Sequence, residues 1–119
     1  LAGIRGRERR WLIGGGCLMQ VVHEPYFLAY EWDEAKERSN IQKHGIDFDE
    51  ALIALSHPHL VKRSDRNNEV RTLAICPSVG RIIAVIYTMR GEKCRIISAR
   101  PARKDEQRAY RDHDLGRSA

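Results

Sequence analysis

Two stretches of this chain gather the residue types that metal-free phosphodiester chemistry needs. Lys43-His44-Gly45 sets an imidazole beside an ammonium group. Arg95-Ile96-Ile97-Ser98-Ala99-Arg100, with Arg71 upstream, puts three arginines inside strand-like sequence. Cutting RNA without a metal takes a base for the 2′-hydroxyl, an acid for the leaving 5′-oxygen and cations for the charge on phosphorus. His44 has the chemistry of an acid or base near neutral pH. Lys43, Arg71, Arg95 and Arg100 supply cations, and arginine's planar fork matches phosphate in a bidentate way. The arginines fit a second arrangement equally well, as rim residues paired to Glu69 or Glu106. Trp32, Tyr87 and Tyr110 carry rings suited either to stacking on bases or to core packing.

Metal ligation finds little support in the sequence. His57-Pro58-His59 has no Cys, Asp or Glu at ligand spacing, and a loop ending a helix explains it. Cys17, Cys76 and Cys94 are odd in number and match no zinc signature. The expectation is a reduced, cytoplasmic protein with no metal and no cofactor.

The elements that must position these residues belong to a chain of 119 residues, enough for one domain. Hydrophobic residues make up 42% and charged residues 31%, a globular composition rather than a disordered one. The net charge of +5 and pI near 9.4 favour polyanionic partners. No apolar run approaches the roughly 20 residues of a membrane span. Residues 1–18 stand apart. They join Arg5, Arg7, Arg9 and Arg10 to Trp11-Leu12-Ile13 and Gly14-Gly15-Gly16, without periodicity. The apolar stretch is too short for a signal peptide. Met19 is therefore expected to be the functional start, with 1–18 a non-native or disordered extension; a basic RNA-binding arm is the alternative. Residues 19–119 form the single domain.

Residues 26–32 read as a short strand. Asp33 caps a first helix and Gly45 ends it. Asp47 and Glu50 resemble a capping box for a second helix, whose stripe is Phe48, Ala51, Leu52 and Leu55. Strands follow at Leu60–Arg63, Val70–Ile75, Arg81–Thr88 and Lys93–Arg100. Turns are expected at Asp65–Asn68, Pro77–Gly80 and Arg90–Glu92. Ile82–Ile86 is an apolar run suited to a strand buried on both faces. Strict alternation on the last strand puts Arg95, Ile97 and Ala99 on one face and Cys94, Ile96, Ser98 and Arg100 on the other. Arg103–Arg111 reads as a C-terminal helix. Connections this short predict antiparallel pairing. The fold class is α+β, in the order β-α-α-β-β-β-β-α.

Tyr30-Glu31-Trp32-Asp33, Lys36, Asn40, Lys43-His44-Gly45-Ile46, Phe48 and Glu50-Ala51 resemble the N-terminal signature of BrnT-type toxins. Glu69-x-Arg71, Tyr87-Thr88-x-Arg90, Arg95–Arg100, Ala102, Glu106 and Tyr110 are similar to the rest of it. Asn68 departs from it, standing where members often carry a histidine. The resemblance covers residues 28–111. It implies a RelE-like fold with the sheet packed by two N-terminal helices and one C-terminal helix. It implies a metal-independent endoribonuclease that inhibits translation within a bacterial type II toxin–antitoxin pair. A ribbon-helix-helix antitoxin would neutralise it and supply the contacts to operator DNA. Glu69, Arg90, Ser98, Arg103 and Tyr110 are expected to line the RNA beside the catalytic set. The competing class is a non-enzymatic module that binds nucleic acid or antitoxin.

Overall fold

The computed structural model describes residues 19–113, so the expectation for 1–18 lies outside the described residues. The elements run β1 (Gln20–Val22), β2 (Ala29–Trp32), α1 (Glu34–His44), α2 (Phe48–Leu55), β3 (His59–Arg63), β4 (Thr72–Ser78), β5 (Arg81–Arg90), β6 (Lys93–Pro101) and α3 (Lys104–Asp112). They form a mixed α+β domain around one six-stranded sheet in the order β1-β3-β4-β5-β6-β2.

Local signals explain most of the boundaries. Asp33 caps α1 by accepting the Lys36 N–H at 3.0 Å, and Gly45 ends it at φ 71°. Asp47 caps α2 through the Glu50 N–H at 2.7 Å. The reciprocal half of the expected capping box is not made. Glu50 instead bonds Ser78 Oγ at 2.6 Å and Arg81 at 3.1 Å, tying α2 to the β4–β5 hairpin. Phe48, Ala51, Ala54 and Leu55 bury one side of α2, with Leu52 half-buried. Pro77 lies within β4, opposite Ile82, rather than in a turn. β3 has ended beside it, so its missing N–H leaves no neighbour unpaired.

Three further expectations are corrected. A strand, β1, precedes the expected first one and pairs antiparallel with β3. The sheet is not wholly antiparallel, because β2 pairs in parallel with β6, Glu31 opposite Arg95 and Trp32 opposite Ile96. The short-connection argument governs sequential strands, whereas β2 and β6 are joined through both N-terminal helices and three strands. Strict alternation also fails on β6. Ile86 faces Ser98 but Tyr87 faces Ile96, which leaves Ile97 as a bulge. Cys94, Ile96 and Ala99 therefore all point into one core cluster, and Arg95 and Arg100 share the opposite face.

Both faces of the sheet are packed. The first carries Val61, Ala74, Cys76, Ile83, Val85 and Tyr87 against Phe48, Ala51 and Leu55 of α2. The second carries Leu60, Leu73, Ile75 and Ala84 against Tyr110 of α3. The run Ile82–Ile86 thus serves two cores. Helix α1 has no such apolar anchor: Asn40 is its only buried residue. Beyond Ile96, where β2 stops, the Asn40 amide takes over the edge of β6. It donates to Ala99 O at 2.8 Å and accepts the Ala99 N–H at 3.0 Å. It also donates to Ile46 O at 2.9 Å. One side chain acts as a single residue of strand.

Asn40→Ala leaves three buried backbone groups unpaired, at about 1–3 kcal/mol each before relaxation. Chemical denaturation should show a loss on the order of 3–5 kcal/mol. His59 generates a second expectation. It is fully buried, with Nδ1 2.7 Å from His57 O. Burial pushes its pKa from 6.5 down to about 4, against the opposing pull of that carbonyl. Above 6.5 the ring is neutral in both folded and unfolded chains. Below it the unfolded chain gains a proton that the folded one refuses until about pH 4. Stability should fall by about 1.4 kcal/mol per pH unit across that window. Urea unfolding of His59→Phe should lack this part of the acid sensitivity.

Candidate functional site

The second sheet face is roofed unevenly. Leu60, Ile75, Ala84 and Arg100 lie in one cross-strand row, and α3 sits over it through Tyr110 and Ala109. The next row is Lys62, Leu73, Ile86 and Ser98. Below that come Thr88, Arg95 and Glu31, with Arg71 one residue before the start of β4. Arg90 and Lys93 follow, opposite each other and exposed. In the lower rows Leu73 and Thr88 are buried, while among the described residues Lys62, Ile86, Ser98, Arg71 and Arg95 stay part-exposed.

A tight turn places the carboxylate of this open end. Asn67 and Asn68 both adopt left-handed backbone, at φ 53° and 63°, which asparagine tolerates better than most residues. Arg66 and Glu69 exchange backbone hydrogen bonds at 3.0 and 2.9 Å across it. Glu69 is thereby set two residues from Arg71, whose Nε donates to Glu69 Oε1 at 2.8 Å. That bond holds Glu69 below the ordinary glutamate value; slight desolvation opposes it, and the charges of Arg71, Arg90 and Lys36 reinforce it. Among the described residues nothing donates to Glu69 Oε2. Arg95 Nη1 reaches Glu31 Oε2 at 3.3 Å, a pairing that exists because β2 runs parallel to β6.

Arg100 shares the face and is about as exposed as Arg71, but its partner carboxylate is buried where theirs are not. Its two terminal nitrogens donate to both oxygens of Glu106, at 2.8 and 2.9 Å, and Nη1 also reaches Pro101 O. Glu106 is 4% exposed and accepts the Arg103 N–H as well. Burial would raise its pKa, but the Arg100 fork and the Arg103 N–H outweigh it and keep the carboxyl low. The pair fastens α3 to β6. Tyr110 is also buried, its ring packed in the second cluster. Tyr87 lies wholly in the first cluster. Trp32 meets Phe48 edge-on at 5.9 Å. Ser98 is half-buried on the open face, and Arg103 is exposed at the start of α3.

Lys43 and His44 occupy the last turn of α1, both exposed. Lys36, Asn40 and His44 recur every four residues and so share one side of the helix. Asn40 fixes that side against the edge of β6. His44 therefore lies toward the Arg100 end, about 12 Å along the axis from Lys36. Lys36, Glu31 and Lys62 are neighbours of the site that no role was read for in sequence. Glu31 needed the parallel pairing to be known. Lys62 was readable as the polar position after Leu60 and Val61. Among the described residues, no three His, Cys, Asp or Glu side chains are grouped to hold a metal ion, and no helix is long and apolar enough to cross a membrane.

No curated protein matches the chain. A family model described as the ribonuclease toxin, BrnT, of type II toxin-antitoxin systems matches residues 32–106. That span opens at the tryptophan ending β2 and closes at the carboxylate that holds Arg100. It takes in α1, the Asn67-Asn68 turn and every cation around Glu69. Covering more than half of the sequence, the match shows that this chain belongs to the BrnT family of ribonuclease toxins of type II toxin–antitoxin systems.

Proposed function

We propose that the chain is an endoribonuclease that cuts RNA without a metal, holding the strand on the open part of the second sheet face. The observation that carries this reading is Glu69, a carboxylate in the turn before β4 that is bonded to Arg71 and lies within the charge field of Arg90 and Lys36. As a carboxylate Glu69 can accept the proton of a 2′-hydroxyl, and the Arg71 bond that lowers its pKa orients it while weakening it as a base. Arg71 and Arg95 hold phosphate oxygens, with Arg90 beside them. Their pairing to Glu69 and Glu31 does not forbid this. The side chains are 19–35% exposed, and pairs this open contribute only about 0–1 kcal/mol, so phosphate can share or replace the carboxylate.

Ser98 and Arg103 lie farther up the same face and extend the RNA track. Lys43 and His44 meet the strand at the far end of α1, and Arg100 positions α3 from beneath. The architecture is of the RelE-like kind. In the cytoplasm the activity would halt translation. A ribbon-helix-helix antitoxin would bind through carboxylates that pair with the same arginines, competing with RNA and bringing operator DNA only through itself.

The purified chain should cleave a long RNA in EDTA. Glu69→Gln should slow single-turnover cleavage on the order of 10²–10⁴-fold, with the fold checked by circular dichroism. His44→Ala should cost less than about tenfold and act mainly on RNA affinity. A comparably large loss at His44 would return the acid–base role to the imidazole. Binding of RNA without cleavage, in EDTA or in magnesium, would instead support the non-enzymatic module.

A further inference from the structure

We infer that Lys36 is a catalytic residue of this site, the acid that protonates the leaving 5′-oxygen. The inference rests on the ribonuclease reading and completes it, since a base at Glu69 leaves the departing oxygen without a proton donor. Arg71, Arg90 and Arg95 cannot fill that role, because a guanidinium does not give up its proton in a protein. An ammonium group can.

The position of Lys36 follows from three contacts. Asp33 accepts its backbone N–H, which fixes it in the first turn of α1. Asn40, one turn later on the same side of the helix, is bonded to Ala99 on the edge of β6. β2 leads into α1 in parallel with β6, so α1 advances along that edge in the same direction. Stepping back from Asn40 by four residues moves about 6 Å along the axis. On β6 the same distance is about two residues, which brings Lys36 beside the bulge at Ile97, between Arg95 and Ala99. At the β6 edge its exposed ammonium is close enough for its charge to lower the pKa of both Asp33, at its own end of the helix, and Glu69, beyond β5 and β6. Lys36 is exposed and enters none of the ion pairs among the described residues, whereas Arg71, Arg95 and Arg100 are each held by a glutamate. Among the described residues no group accepts a hydrogen bond from its ammonium.

The step balances with these two groups. The 2′-oxygen forms a bond to phosphorus as its proton passes to Glu69. The bond from phosphorus to the 5′-oxygen breaks as that oxygen takes a proton from Lys36. The products are a 2′,3′-cyclic phosphate and a free 5′-hydroxyl. Solvent then returns a proton to Lys36 and removes one from Glu69, so no oxidant, metal or further reactant enters.

The test uses two matched RNA substrates, one natural and one with sulfur in place of the bridging 5′-oxygen at the cut site. A thiolate leaves without being protonated. Lys36→Gln and Lys36→Arg should each slow cleavage of the natural RNA on the order of 10²–10⁴-fold. Both should approach wild-type rates on the sulfur substrate, while Glu69→Gln stays slow on both. Rates within about threefold of wild type on natural RNA would overturn the assignment. So would an equal loss on both substrates, which would make Lys36 a phosphate contact rather than an acid. If the wild type cut neither substrate, the ribonuclease reading would fall and this one with it. The side chain is exposed and the cap uses only the backbone of Lys36, so unfolding is not a competing explanation; circular dichroism verifies it.

Discussion

The arrangement turns on how the outer edge of β6 is closed. Its lower half is paired by β2 and its upper half by one amide, that of Asn40. Helices normally hold their place by burying an apolar stripe. α1 has none, and its place depends, with Glu37 accepting the Phe48 N–H of α2, on bonds from Asn40 to Ala99 and Ile46. Those bonds are buried, which makes them geometrically strict: a slip of one residue would leave donors and acceptors unpaired on both sides. Lys36 and His44 inherit that strictness, because each is one turn from the anchor.

Local chemistry was legible in the sequence and non-local pairing was not. Asp33, Gly45 and Asp47 mark their helix ends through backbone bonds a few residues away, and the structure makes those bonds. The apolar run at Ile82–Ile86 named the central strand. The pairing of arginines with Glu69 and Glu106 was readable as one of two arrangements, and both ion pairs exist alongside an open face. The parallel join of β2 to β6 was not readable, since nothing in Ala29–Trp32 specifies a partner more than sixty residues away. The bulge at Ile97 escaped for a related reason. Period-two reasoning assumes one residue per step, and an inserted residue reverses every face after it. That reversal puts Arg95 and Arg100 on the same side, where strict alternation separates them. Asn40 gave no local sign, because a buried asparagine in a helix acquires its meaning only from the strand edge beside it.

The three strand arginines show how one residue type serves two ends. Arg100 has both terminal nitrogens on a carboxylate that is almost wholly buried. Breaking such a pair leaves an uncompensated charge, so it acts as a fastening for α3. Arg71 and Arg95 each give one nitrogen to a partly exposed glutamate, and among the described residues the rest of each fork has no acceptor. A half-used guanidinium is oriented without being consumed. The burial of the partner carboxylate, not of the arginine itself, separates the fastening from the binding groups.

The parallel pairing of β2 with β6 also sets an order of events during synthesis. Glu31 is made early and Arg95 late, yet each needs the other to complete the lowest row of the open face. Contacts this distant in sequence form slowly, because loop closure precedes any gain from pairing. A nascent chain can assemble α1, α2 and the β3–β4–β5 meander, but it cannot close its anion-facing end until β6 has left the ribosome. The second strand made must wait for the last. In this ribonuclease-toxin family member, the row that joins Glu31 to Arg95 is thus among the last parts of the sheet that can close during synthesis.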